Sequence, residues 1–139
     1  KIYEAEGFSK VVIYPGVREF LELFKAKKLV VVSNKKDAFI KKILALQKLN
    51  SYFQHIFGGE TSPCLKPDPC VINQLREKYA LPANHALFVG DMGIDLETGK
   101  NAGVHTCGVT YGFDGKEKLK THRPDFLVDN LMELASQIN

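Results

Sequence analysis

Phe88-Val89-Gly90-Asp91-Met92-Gly93-Ile94-Asp95 is the stretch that decides the architecture. The apolar residues from Ala86 to Val89 predict a buried parallel strand, and Gly90 lets the backbone turn so that Asp91 and Asp95 emerge where strand passes into helix. In an open parallel α/β sheet, ligands collect at the carboxyl ends of strands. A hard cation such as Mg2+ is held there by one or two carboxylates with water and substrate phosphate. The spacing suits such a site. It also suits a plainer arrangement, in which Asp95 caps the next helix and Asp91 is a solvated loop residue, because acids are favoured at helix N-termini.

Two further segments bear on that choice. Lys28 to Val32 is a second short apolar run, and it ends in Ser33-Asn34, small polar residues whose backbone N–H groups at a strand terminus can cradle a phosphate. Taken alone, the pair reads more simply as a helix cap before Lys36 to Leu49. Gly58-Gly59-Glu60-Thr61-Ser62-Pro63-Cys64-Leu65-Lys66-Pro67-Asp68-Pro69 is dense in turn formers and lies between a strand-like Ile56-Phe57 and a helix-like Val71 to Tyr79. Within it, Lys66 is fixed between Leu65 and Pro67. Most lysines are simply solvated, but this one is less free to wander, and an ammonium is a suitable point charge for phosphate.

The order Ser33-Asn34, Lys66-Pro67, then Gly90-Asp91 with Asp95 and Ala102-Gly103 closely resembles the haloacid dehalogenase-like hydrolases. Within that superfamily the sequence is most similar to the phosphoglycolate phosphatase group and its pyrophosphatase relatives. Tyr14-Pro15-Gly16-Val17 opens the core helix, and Val109-Thr110-Tyr111-Gly112-Phe113 followed by Arg123-Pro124-Asp125 matches their C-terminal part. The resemblance implies an α/β fold, a Rossmann-like parallel sheet with flanking helices. It also implies a Mg2+-dependent phosphomonoester hydrolase that acts on a small phosphorylated metabolite through an aspartyl-phosphate. Asp91 and Asp95 would hold the metal, Ser33, Asn34 and Lys66 would bind the phosphate, and Lys66 and Ser33 would belong to the catalytic set. The family's attacking aspartate and its acid-base aspartate lie in an Asp-x-Asp-Gly motif, and these 139 residues contain none. Met92 stands where relatives usually place Ser or Thr, which affects one secondary hydrogen bond and leaves the carboxylates untouched.

The organisation implied is that of a part. Residues 1–14, opening Lys1-Ile2-Tyr3-Glu4-Ala5-Glu6-Gly7, resemble the exit from the family's helical cap and are expected to be a remnant of the cap-to-core linker. Residues 15–139 are expected to be the C-terminal part of the core of a longer enzyme, inactive in isolation. In the family the nucleophile strand lies between the strand ending at Ser33 and the strand ending at Asp91, so the sheet is expected to lack or substitute its central strand. Neighbouring strands stand about 4.8 Å apart, and unsatisfied buried polar groups cost about 1–3 kcal/mol each. Such a slot would therefore be filled by the missing N-terminal segment, by another chain, or by a rearranged Val11 to Tyr14. The alternative is a noncatalytic phosphate-binding or interaction module. A bacterial receiver domain also uses aspartates and a lysine, but its acidic pair comes first, and the order here argues against it.

Composition sets outer limits. A length of 139 residues with 45% apolar content suits one domain and one core, and no long apolar segment or signal-peptide pattern suggests membrane or export, so a soluble cytoplasmic protein is expected. Cys64, Cys70 and Cys107 are odd in number and lack Cys-x-x-Cys spacing, which predicts reduced packing or loop cysteines rather than a disulfide framework or zinc site. His55, His85, His105 and His122 show no ligand pairing and are expected to be structural. The net charge of +3 is mild. The densest basic stretch, Lys116 to Arg123, is interrupted by Glu117 and lacks interleaved aromatics, so a solvated loop or helix face is expected, not a nucleic-acid surface.

Apolar spacing supplies the remaining elements. Val17, Phe20, Leu21 and Phe24 predict a helix with Pro15 in its first turn. Asp37 is placed to cap a helix that turns Ile40, Ile43, Leu44 and Leu46 inward, and Asp68-Pro69 to start another that packs Ile72, Leu75 and Tyr79. Leu96 to Ala102 predicts a short helix stopped by Gly103. Val104 to Val109 and Phe126 to Val128 predict strands, and Asn130 with Glu133 a capping box for the last helix.

Overall fold

The computed structural model describes residues 2–5, 7–13 and 16–138, with side chains described from residue 16 onward. Tyr14 and Pro15, with the reading of Pro15 as a first-turn residue, lie outside the described residues. The chain divides into two compact units, Lys1–Ser62 and Pro63–Asn139.

The first unit opens with an antiparallel hairpin, β1 (Ile2–Ala5) and β2 (Gly7–Ile13), in the segment read as a linker remnant. The β-branched run Val11-Val12-Ile13 favours such a strand. Next come α1 (Val17–Leu23), β3 (Val30–Val32), α2 (Asp37–Leu46) and β4 (His55–Phe57). β3 and β4 are parallel, with Val31 opposite Ile56. The ladder is extended by Gln54 N–H donating to the Leu29 carbonyl at 2.8 Å and Ser33 N–H donating to the Phe57 carbonyl at 3.0 Å. Leu21, Ile40, Leu44 and Leu49 form the core, with Val17, Leu29, Val31, Tyr52, Phe53 and Ile56 packed around it. Leu46, expected to face inward, is 51% exposed. It lies two residues beyond buried Leu44, and at 3.6 residues per turn that carries it to the opposite side of the helix.

The second unit contains α3 (Cys70–Lys78), β5 (Leu87–Gly90), α4 (Gly93–Ala102), β6 (His105–Val109), α5 (Lys116–Lys120), β7 (Phe126–Val128) and α6 (Leu131–Ala135). The three strands form a parallel sheet in the order β5-β6-β7, with Val89 opposite Cys107 and Gly108 opposite Leu127. Helix α4 packs on β5 and β6, and α5 and α6 pack on β7. Leu96, Cys107, Leu119 and Leu134 are fully buried. Two buried hydroxyls are satisfied locally. Thr98 Oγ1 donates to the Ile94 carbonyl at 2.6 Å, while Thr106 N–H donates to Asp125 Oδ2 at 2.8 Å and Thr106 Oγ1 accepts from Asp125 N–H at 3.3 Å. The architecture is the α/β arrangement of parallel strands with flanking helices that the sequence predicts. The capping box at Asn130 and Glu133 and the stop at Gly103 are present as read.

The cysteine reading is corrected. Cys64 and Cys70 are joined in a disulfide, and only Cys107 is a free thiol. Spacing alone did not indicate the pairing because the intervening turn brings the sulfurs together. Asp68 N–H donates to the Leu65 carbonyl and Cys70 N–H donates to Asp68 Oδ1, both at 2.9 Å. Cys107 is fully buried, and burial pushes its thiol up to about 12, which makes it a packing residue.

Candidate active site

Within the second unit, β5 ends at Gly90 and delivers Asp91 into the turn before α4, whose first turn carries Asp95. Both carboxylates are buried, Asp91 to 7% exposure and Asp95 to 5%. Asp91 is therefore not a solvated loop residue. Asp91 Oδ2 accepts from Phe113 N–H at 2.7 Å, and the Asp91 carbonyl accepts from Asp114 N–H at 3.2 Å. Asp95 takes the helix-capping role and also meets a lysine. Its Oδ2 accepts from Met92 N–H at 3.2 Å, a helix-capping contact, and its Oδ1 accepts from Lys66 Nζ at 2.5 Å. The Lys66–Asp95 pair is largely shielded, with side chains 12% and 8% exposed.

Glycines shape this corner because side chains have no room there. A Cβ on Gly90 would overlap the Asp95 carboxyl, and one on Gly112 would overlap the Asp91 carboxyl. Asp114 closes the third side, its Oδ2 accepting from Gly93 N–H at 2.6 Å while Lys118 Nζ stands 3.5 Å from Oδ1. The His122 imidazole lies against the Cα of Gly93, a packing contact at the start of α4. The loop contacts from Gly112 to Asp114 were not assigned from the sequence. Gly112-Phe113 and Asp114-Gly115 signal turns, but a turn signal does not reveal what its backbone N–H groups bind.

Lys66 reaches Asp95 from a loop held at several points. The Lys66–Pro67 peptide bond is cis, the Pro67 carbonyl accepts from Asn101 Nδ2 of α4 at 3.0 Å, and the Cys64–Cys70 disulfide brackets the whole turn. One ammonium and two carboxylates sum to a formal charge of −1 in a shielded corner of hard oxygen donors. That chemistry fits a small divalent cation such as Mg2+, which Asp91 and Asp95 would hold.

Ser33 and Asn34 belong to the first unit, at the carboxyl end of β3. Ser33 Oγ accepts from Lys35 N–H at 3.1 Å, and the Lys35 carbonyl accepts from Gly59 N–H at 2.6 Å, so the turn is tied to the loop after β4. Asp37 is the principal knot. It was expected to cap α2, yet it is that helix's first residue, and its carboxylate reaches outward instead. Asp37 Oδ1 accepts from Glu60 N–H at 2.9 Å and Thr61 N–H at 3.2 Å, Oδ2 accepts from the Thr61 hydroxyl, and Glu60 Oε1 accepts from Asp37 N–H at 3.0 Å. The Thr61 hydroxyl, and then the amides of Glu60, Thr61 and Gly58, hold the Asp37 carboxyl below its ordinary value against the opposing effect of burial.

A sequence model of haloacid dehalogenase-like hydrolases matches residues 1–109. The chain belongs to that family. This haloacid dehalogenase-like chain is 37% identical over 140 residues to a phosphoglycolate phosphatase of Vibrio cholerae, covering 99% of the chain and 62% of that protein. It is 34% identical over 132 residues to a phosphoglycolate phosphatase of Pseudomonas savastanoi, covering 94% of the chain and 48% of that protein. Among solved structures, a predicted phosphoglycolate phosphatase from Haemophilus somnus superposes with a TM-score of 0.86 at 31% identity, covering 92% of this chain and 58% of that one. A haloacid dehalogenase-like family protein from Streptococcus pneumoniae shares the fold, with a TM-score of 0.83 at 21% identity, covering 99% of this chain and 65% of that one. The chain thus spans about 60% of the length of the Vibrio phosphatases it matches.

Proposed function

We propose that this haloacid dehalogenase-like chain is the C-terminal core part, residues 15–139 behind a linker remnant at 1–14, of a Mg2+-dependent phosphomonoester hydrolase most like phosphoglycolate phosphatase. The observation that carries the reading is the shielded Lys66–Asp95 pair beside buried Asp91, a charged constellation at the carboxyl end of a parallel strand. Structural ion pairs are common, but this one is accompanied by a second buried carboxylate with glycine backbone pressed against it. A site built for stability alone has no need of that excess negative charge.

In the proposed mechanism each residue does charge or positioning work. Asp91 and Asp95 would hold Mg2+, which when bound neutralises phosphoryl oxygen charge. Lys66 would place its ammonium on the phosphate and stabilise charge that grows during transfer. Ser33 Oγ and the Asn34 backbone N–H would orient the phosphate, and preorganised donors of this type are worth about 2.7–4 kcal/mol each. The aspartate that attacks phosphorus to form an aspartyl-phosphate would come from an Asp-x-Asp-Gly segment paired with this chain, either from the N-terminal part of the same protein or from another chain. Water would then hydrolyse that mixed anhydride, returning the carboxylate and releasing phosphate. The substrate is a small phosphorylated metabolite, with phosphoglycolate favoured by similarity. Among the described residues no helix is long and apolar enough to cross a membrane, and a cytoplasmic location is part of this proposal.

The decisive experiment screens the longer parent protein against phosphoglycolate, pyrophosphate, sugar phosphates and nucleotides, with and without Mg2+. Mg2+-dependent release of phosphate from one of them is the expected result. Absence of hydrolysis with retained phosphate binding would replace the enzyme by a noncatalytic phosphate-binding module.

A further inference from the structure

The Cys64–Cys70 disulfide has no part in the phosphatase reading, yet it closes a ring of seven residues whose third member is Lys66. The ring is tied to α4 at Pro67 through Asn101, and α4 is the helix that carries Asp95. The position of the Lys66 ammonium thus depends on a backbone fixed at both ends of the turn by one covalent bond. Both sulfurs belong to half-buried residues, so a small thiol or a protein dithiol has a route to them. Cys70 is also the first residue of α3, a nine-residue helix, where the positive end of the helix stabilises a departing thiolate. The Asp68 carboxylate stands near the sulfurs and works in the opposite direction.

We propose that the Cys64–Cys70 disulfide is a reversible redox clamp that positions Lys66 against Asp95. The opening step is thiol–disulfide exchange. A thiolate of a dithiol reductant attacks Cys64 Sγ, the Cys64–Cys70 bond breaks, and Cys70 leaves as a thiolate that takes up a proton. The reductant's second thiol loses its proton and attacks the mixed disulfide. Cys64 is released as a thiol and the reductant becomes a disulfide. Two electrons and two protons have then passed to the protein. With the ring open, residues 64–70 gain backbone freedom and Lys66 spends less time on Asp95. Any effect on turnover rests on the proposed role of Lys66 at the phosphate; the positional effect does not.

Amine acetylation followed by mass spectrometry tests the clamp directly in the full-length protein. The rate at Lys66 is compared with that at exposed Lys27 in three forms: oxidised, reduced with dithiothreitol, and Cys64→Ser. The expected result is labelling of Lys66 about tenfold faster in the reduced form and in Cys64→Ser than in the oxidised form, with Cys64→Ser indifferent to dithiothreitol. Phosphoglycolate turnover is measured in parallel. Faster labelling with unchanged turnover upholds the clamp and removes Lys66 from the catalytic set. Equal labelling of Lys66 in oxidised and reduced wild-type protein overturns the clamp whatever the turnover, as does failure of the two thiols to join under oxidised glutathione.

Discussion

Lys66 and Asp95 show how a functional assignment changes when a contact is placed beside it. A lysine that serves only a substrate could be replaced at little cost to folding, but here Lys66→Met strips a shielded carboxylate of its cation. Breaking such a pair from one side costs about 3 kcal/mol, and removing the second charge recovers part of the loss. Lys66→Met is therefore expected to lower the thermal midpoint, and Lys66→Met with Asp95→Asn to restore much of it, with a coupling of about 1–3 kcal/mol in a double-mutant cycle. Additive losses would show that the pair is not formed in solution. In the proposed hydrolase, Asp91→Asn is expected to weaken Mg2+ dependence and turnover more than Asp95→Asn, because Asp95 is shared with Lys66 and the Met92 amide. Titration of kcat against Mg2+ for both variants decides this, and wild-type behaviour in both would remove the metal assignment. Asp37 makes a separate prediction about acid. Its folded pKa lies below the ordinary 3.8, so its contribution to stability is complete above that value and is lost as pH falls through the depressed folded value. Asp37→Asn should thus melt lower than the wild type at neutral pH, and the gap should close in strong acid. A gap that stayed constant with pH would show that the carboxylate's charge is not what ties the loop after β4.

Helix ends carry a shared design at the level of elements. After α2, Leu49 N–H donates to the Leu44 carbonyl at 2.8 Å; after α3, Leu81 N–H donates to Arg76 at 2.9 Å; after α4, Val104 N–H donates to Gly99 at 3.1 Å. In each case the residue before the apolar donor is left-handed: Lys48 at φ 57°, Ala80 at 51° and Gly103 at 74°. Only Gly103 has the residue type that this conformation favours. An L-residue there costs about 1–2 kcal/mol, against about 0.5–1 kcal/mol for the extra chain entropy of glycine. Ala80→Gly is expected to stabilise by about 0.5–1 kcal/mol and raise the thermal midpoint by about 2 °C. Gly103→Ala should do the reverse, since no atom lies within 4 Å of the added methyl and the backbone alone is at stake. The same ends explain what could be read in advance. Apolar spacing located α1 to α3, short apolar runs located β3 to β7, and Gly103 announced the stop of α4. Lys48 and Ala80 gave no such sign, since their role is visible only in the hydrogen bonds around them. The residues of the candidate site stood out for a different reason: Asp91, Asp95 and Lys66 are charged types at a strand end, in a helix's first turn and between turn formers. The groups that hold them were not. Gly112 acts through the space it leaves, Phe113 through its backbone N–H, and Cys64 through a partner six residues away.

Across the whole molecule, the residues proposed to bind phosphate and metal fall in both units, Ser33 and Asn34 in the first and Lys66, Asp91 and Asp95 in the second. Hydrolysis through an acyl phosphate, as proposed, also needs a carboxylate to attack phosphorus, and with Asp91 and Asp95 assigned to the metal that role falls to an Asp-x-Asp-Gly segment, which these 139 residues do not contain. The strand edges point the same way. Among the described residues β5 is hydrogen-bonded only to β6, and Val89 within it is 37% exposed, where a central parallel strand would be covered. An edge of this kind offers both backbone hydrogen bonds and apolar surface to a further strand. On the proposed function, the 139-residue chain alone is expected to show no phosphoglycolate hydrolysis with Mg2+, while a protein that adds an Asp-x-Asp-Gly segment to it is expected to turn over within the ordinary enzymatic range of about 1–1000 per second. Adding a separately produced segment that carries Asp-x-Asp-Gly should restore activity and raise the thermal midpoint of the 139-residue chain together, because one strand would supply the nucleophile and cover the edge. Turnover at that rate by the chain alone would refute the need for a second carboxylate source. A rise in midpoint without activity would separate the two roles and leave the segment as a structural complement whose aspartate does not reach the phosphate.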